Sequence, residues 1–191
     1  MGEEQIEIVA QVIGVFAMIA NCLGYQMRKK NSIIFCQLLG SVLFAVNFFM
    51  IGAYAGAILN VVAVVRAIIY MNSERTRADH VAWLIGFSVI YLLSYAAVFT
   101  IFKKPPTILN LVFELLPVIA MIATTFSFRH KEARVVRAFG MVSSPLWLAY
   151  NIYSLSFGAI VCESINIVSI IVGIIRFDLK KKNSAEEKTE N

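Results

Sequence analysis

Three ionisable side chains interrupt long apolar runs: Arg66, Glu114 and Glu163. An ionised group in apolar surroundings is costly unless it is paired, so each of the three needs a partner or a task. Each shares its run with an asparagine, respectively Asn60, Asn110 and Asn166. On a helix, Asn110, Glu114 and Pro117 stand at i, i+4 and i+7 and share a face. Glu163, Asn166 and Gly173, at i, i+3 and i+10, form a second stripe. Carboxyl and carboxamide groups placed this way can hydrogen-bond a polar solute, and a buried carboxyl suits coupling to a proton. Asn60, Glu114, Glu163 and Asn166 are therefore the candidate binding groups, with Arg66 as charge partner to one of the acids. Trp147 and Asn151, an i, i+4 pair beside Tyr150, add an aromatic platform for a solute. Pro117 and Pro145 each remove a backbone donor inside a helix, and the kink can serve as a hinge. Every one of these features has a plainer reading. The polar groups can simply hold helices together, Arg66 can reach toward lipid headgroups, and the aromatic residues can form an interfacial belt.

The elements that must position these groups are membrane helices. Of 191 residues, 59% are hydrophobic and only 15% charged, well outside the range of a soluble domain. The mean hydropathy is +0.76. The net charge of +5 and a pI near 9.2 do not indicate nucleic acid, because the basic residues lie in short clusters between apolar runs. Cys22, Cys36 and Cys162 fall inside apolar segments, which argues against a disulfide framework or a metal site. The beginning, MGEEQIE, is acidic and lacks the basic region of a cleavable signal, so the first apolar run is expected to remain. No cofactor is expected.

A spanning helix needs about 20 mostly apolar residues. Seven stretches qualify: 8–26, 33–51, 54–71, 81–102, 108–128, 135–153 and 157–177. Gly52-Ala53 separates the second from the third, and Ser154-Leu155-Ser156 the sixth from the seventh. Basic residues follow the first, third, fifth and seventh stretches, whereas the opposite loops carry only Lys103 and Lys104. The positive-inside bias places the N-terminus outside and the C-terminus in the cytoplasm. The charged tail 180–191 reads as disordered.

Two patterns recur about 102 residues apart. Ala17-Met18-Ile19-Ala20 and Ala120-Met121-Ile122-Ala123 each precede a basic loop, and Gly56-Ala57-Ile58 and Gly158-Ala159-Ile160 each follow a tight break. The chain therefore divides into a first three-helix repeat (1–72), a linker-helix region (73–106), a second, parallel three-helix repeat (107–178) and a tail (179–191). The stripe Gly14, Ala17, Asn21 and Gly24 marks close helix packing.

Gly24-Tyr25-Gln26-Met27-Arg28-Lys29-Lys30-Asn31-Ser32 resembles the PQ-loop region of SWEET-type transporters, although Tyr25 stands where that motif has proline. The segments 52–60, with Arg66 after them, and 145–151 resemble the YgjV-like bacterial inner-membrane proteins. The second resemblance implies an inner-membrane location. The first implies a 3+1+3 transporter plan, which is fold analogy.

Three function classes follow. The first is a passive or proton-coupled transporter of a small polar solute, moving by rocking of the triplets about a central cavity. The second is a non-transporting scaffold, sensor or assembly protein. An enzyme is the least supported: His80 and His130 lie in loops, and neither has a nucleophile or acid at catalytic spacing. Lipid and a small solute are the expected partners, nucleic acid is not, and nothing in the chain forbids a homo-oligomer.

Overall fold

The structure is a computed structural model that describes residues 3–50, 54–101, 103–153 and 157–179. The two short breaks at 52–53 and 154–156, and the tail 180–191, lie outside the described residues.

The described chain is helical, with no strand among these residues. Its elements are α1 (Glu3–Tyr25), α2 (Lys30–Met50), α3 (Tyr54–Met71), a single turn α4 (Ser73–Thr76), α5 (Val81–Thr100), α6 (Ile108–Phe128), α7 (Ala133–Tyr153) and α8 (Phe157–Gly173). A wider, π-helical segment, Ile174–Leu179, continues α8. The long helices fall on the seven apolar stretches. Among the described residues, five segments are long and apolar enough to cross a membrane: Ile8–Tyr25, Lys30–Asn47, Val81–Thr100, Ile108–Arg129 and Ala159–Leu179. In α3 the qualifying apolar run, Leu59–Met71, is shorter. α7 differs for another reason. It carries Arg134, Arg137, Ser143, Ser144 and Asn151, and all of these except Arg134 are buried.

Local chemistry sets the helix starts. His80 caps α5 by accepting from the Ala82 amide, and Thr107 caps α6 by accepting from the Asn110 amide. Pro105 and Pro106 cannot extend a helix backward, so α6 begins after them. Arg77 adopts a left-handed conformation, with φ of 49°, to close α4. Pro117 and Pro145 both sit inside helices, where neither can donate to the preceding turn.

Packing follows chain order. α1 packs on α2 and α2 on α3, while α6 packs on α7 and α7 on α8. The two groups meet where α1 touches α8 and α2 touches α7, and α5 lies along α6. The small-residue stripe of α1 faces α2: a Cβ on Gly40 would lie 2.5 Å from Asn21 Oδ1. Only glycine at position 40 allows this approach. Asn47 ties the same pair together, donating to the Ala10 carbonyl at 2.6 Å.

α5 buries one stripe, at every fourth residue. Trp83 stacks on Phe87 and Phe87 on Tyr91, with ring centroids 6.3 and 6.2 Å apart. Its other faces expose Ile85, Val89, Leu92 and Leu93, as α1 exposes Val12, Phe16, Ile19 and Leu23. Such an outer surface suits hydrocarbon. The core beneath it gathers Ile33, Ile34, Tyr70, Phe87, Tyr91, Phe128, Val136 and Ile170.

Candidate functional site

The candidate residues fall into separate polar groups around α7 and the seams where α1 meets α8 and α3 meets α6. On the α1/α8 seam, Gln26 Nε2 donates to the Ser169 carbonyl at 2.6 Å and to its hydroxyl at 3.1 Å. Ser169 Oγ donates to the Cys22 carbonyl at 2.6 Å, and Cys22 Sγ donates to Asn166 Oδ1 at 3.1 Å. Asn166 is buried, and its Nδ2 lies 3.5 Å from Glu163 Oε2. Glu163 also hydrogen-bonds the Ser144 side chain of α7. Thus Glu163 and Asn166 share a site, as their i, i+3 spacing predicts.

Glu114 stands elsewhere. It is 8% exposed and pairs with Lys104, Nζ to Oε1 at 2.5 Å. It also bonds Tyr150. Around this pair, Lys104 lies 5.5 Å from the Tyr153 ring centroid, Phe113 stacks on Tyr153 at 4.2 Å, and the Tyr153 hydroxyl donates to Asn110. The α7 partners of the two acids, Ser144 and Tyr150, are six residues apart. That separation is about 9 Å along the axis. The two acids have different partners: Ser144 and Asn166 for Glu163, Lys104 and Tyr150 for Glu114.

Arg66 pairs with neither glutamate, which corrects the expected ion pair. Its NH1 donates to Tyr91 Oη at 3.2 Å and to Thr125 Oγ1 at 3.4 Å, and its guanidinium lies 5.2 Å from the Phe128 ring centroid. The reason is local supply. Lys104 reaches Glu114 across the Pro105-Pro106 turn, and aromatic and hydroxyl groups of α5 and α6 surround Arg66 first. Two buried atoms in this group have no partner in the structure: Arg66 Nε and the Tyr70 hydroxyl. At i, i+4 they lie on one face of α3.

The remaining candidates are distributed. Asn60 is half-buried on α3, and Asn151 is buried on α7. Trp147 meets Tyr150 edge-on at 6.0 Å and packs against the core. Pro117 is buried on α6, whereas Pro145 is exposed on α7. Among the described residues, no group of three or more His, Cys, Asp or Glu side chains could hold a metal.

Reasoning from spacing missed a buried ion pair. Arg137, only 2% exposed, holds Asp178 with two bonds, Nε to Oδ2 at 2.9 Å and NH2 to Oδ1 at 2.5 Å. Its NH1 donates to the Met27 carbonyl at 2.9 Å, so α7, α8 and the α1–α2 turn are joined. The π-helical segment carries Asp178 to this position. One signal was available: Asp178 is the lone acid in the basic stretch 176–182.

Residues 8–181 match the Imp-YgjV family, described as bacterial inner membrane protein. The chain belongs to the Imp-YgjV family. This assignment covers every long helix and every polar group described above, so the location in a bacterial inner membrane applies to the whole helical body. No curated protein and no solved structure matches the chain.

Proposed function

We propose that this Imp-YgjV protein is a transporter of a small polar solute. Seven helices cross the inner membrane in a 3+1+3 plan similar to that of SWEET-type proteins. The N-terminus is outside and the C-terminus in the cytoplasm. α1–α3 form one triplet, α6–α8 the other, and α5 restores the orientation between them. The observation that carries the reading is the pair of buried, unpartnered groups, Arg66 Nε and the Tyr70 hydroxyl. Buried hydrogen-bonding groups left without a partner are costly, and a polar solute or water satisfies them. They face the α3/α6 contact, where Arg66 reaches Thr125 and Tyr70 packs on Phe128 at 5.8 Å.

The packing supports the same reading. α1 against α8 and α3 against α6 are matching contacts under the 102-residue repeat, with α2 against α7 between them. Rocking of one triplet against the other would exchange the hydrogen bonds on these two seams. Asn60, Glu114, Glu163, Asn166, Trp147 and Asn151 remain the proposed solute contacts, with Pro117 and Pro145 as hinges. Arg66 acts as a solute donor rather than as a partner to an acid. Movement is passive or proton-coupled, with Glu163 the proton carrier in the coupled case. No catalytic step or cofactor is involved.

A second reading has its own support. Glu114 is neutralised by Lys104, and the α1/α8 seam groups are bonded to one another. Such mutual pairing suits an inner-membrane scaffold, sensor or assembly protein held together by polar contacts. The test is a thermal-stability screen of the purified protein against sugars, nucleosides, vitamins, amino acids and small anions. A concentration-dependent rise in the midpoint that is lost in Arg66→Gln and Glu163→Gln supports transport. No rise with any class, from variants as stable as the parent, selects the scaffold.

A further inference from the structure

At the basic end, the α1–α2 turn and the α6–α7 loop border an open cleft of about 410 Å³. Its lining is Arg28, Lys29, Lys30, Asn31, Lys131 and Ala133. Four of these six residues are cationic and none is acidic. Lys30 distinguishes the cleft from an ordinary basic surface. It is 8% exposed, and among the described residues it has no hydrogen-bond or ion-pair partner. The Lys30 stem is packed away while its ammonium opens into the cleft, and Lys131 adds a like charge within electrostatic reach.

The nearby acids are already engaged. Glu132 pairs with Arg134, and Asp178 is held by Arg137. The backbone adds to the positive field, because α2 begins at Lys30 and α7 at Ala133. Both helices are 21 residues long, and the first residues of each, Lys30 and Asn31 of α2 and Ala133 of α7, line the cleft, so the positive end of each dipole lies at it.

We propose that this cleft is a binding site for a phosphate group. The phosphoryl oxygens are held by Lys30 and Lys131, with Arg28 and Lys29 at the rim and the opening amides of α2 and α7 behind them. The same chemistry serves an anionic phospholipid headgroup or a soluble phosphate compound. The site is independent of the transport reading, since it uses none of the proposed solute contacts. It joins the corresponding basic loops of the two proposed triplets, so an occupant would bridge them.

The experiment uses the full-length protein, purified in neutral detergent, with thermal midpoint as readout. One arm titrates sodium phosphate against sodium chloride at equal ionic strength. The other compares phosphatidylcholine nanodiscs with and without phosphatidylglycerol. Lys131→Gln changes an exposed side chain and keeps the test valid if Lys30→Gln alters folding. The expected result is a rise in midpoint above the control in at least one arm. It should weaken about tenfold in apparent affinity in each variant. A rise with inorganic phosphate alone identifies a soluble phosphate ligand, and one with phosphatidylglycerol alone a lipid headgroup. No rise in either arm, or an undiminished rise in Lys131→Gln, overturns the proposal.

Discussion

Arg137 and Asp178 are a case where removal of one member of a pair should matter more than the pair's net worth. The guanidinium is almost wholly buried and also serves the Met27 carbonyl, so loss of the carboxylate leaves an uncompensated charge among three elements. Asp178→Ala should lower unfolding stability by about 3–5 kcal/mol, read by thermal or denaturant unfolding in detergent. The double variant Arg137→Met with Asp178→Leu should recover most of that loss. An unchanged midpoint in Asp178→Ala would show that the bidentate contact contributes nothing. Lys104 and Glu114 give a similar asymmetry. Lys104→Met strands a buried carboxylate, whereas Glu114→Gln leaves only a half-exposed ammonium that can turn to water. The first should be the more destabilising by about 1–3 kcal/mol, and the reverse order in a melting experiment would refute the pairing. At this scale, Glu114, Glu163, Asn166 and Arg66 stood out because charge and amide groups are rare in apolar runs. Their partners on other elements did not. Lys104 lies across a proline turn, and Asp178 is far along the chain from Arg137, so no helical spacing links either pair.

The helices themselves were legible almost to their ends, because an apolar run of spanning length leaves a chain in hydrocarbon little alternative to a helix. The stripe Gly14, Ala17, Asn21 and Gly24 also announced its role: Gly14, Asn21 and Gly24 pack against α2, and Ala17 is fully buried. Gly40 carries the sharpest test of that contact. Gly40→Leu puts a side chain where Asn21 already stands, which should cost about 1–3 kcal/mol through separation of α1 and α2. Gly86→Ala is the control: a Cβ there meets nothing within 4 Å, so helix propensity should make it neutral or stabilising by about 0.5–1 kcal/mol. Equal losses in both would place the cost in the helix backbone rather than in the α1–α2 contact. Two features of the elements were not legible. The aromatic stripe of α5 is masked by apolar residues on every other face. The π-helical turn follows a close tertiary contact that no local spacing announces: a Cβ at Gly173 would lie 2.5 Å from the Tyr25 carbonyl.

Across the whole molecule, orientation is the property that most constrains function. Impermeant thiol reagents applied to intact cells should label Lys103→Cys, and should reach Lys29→Cys or Lys131→Cys only after the membrane is opened. The opposite pattern would invert the proposed topology. The native thiols make a workable background, since Cys162 is buried and Cys22 and Cys36 are half-buried within helices.

Composition and periodicity determined that this chain is a helical membrane protein, where its helices lie and which polar groups are out of place. Those properties depend on each segment's own transfer energy from water, which adjacent residues set among themselves. Only the tertiary structure decided which polar groups meet. It placed Arg66 among Tyr91, Thr125 and Phe128, gave Glu114 to Lys104, and gathered Lys30 and Lys131 at one cleft. Each of these outcomes depends on the rotation and depth of one helix against another. That geometry comes from side-chain packing between distant segments, and no spacing along a single helix encodes it.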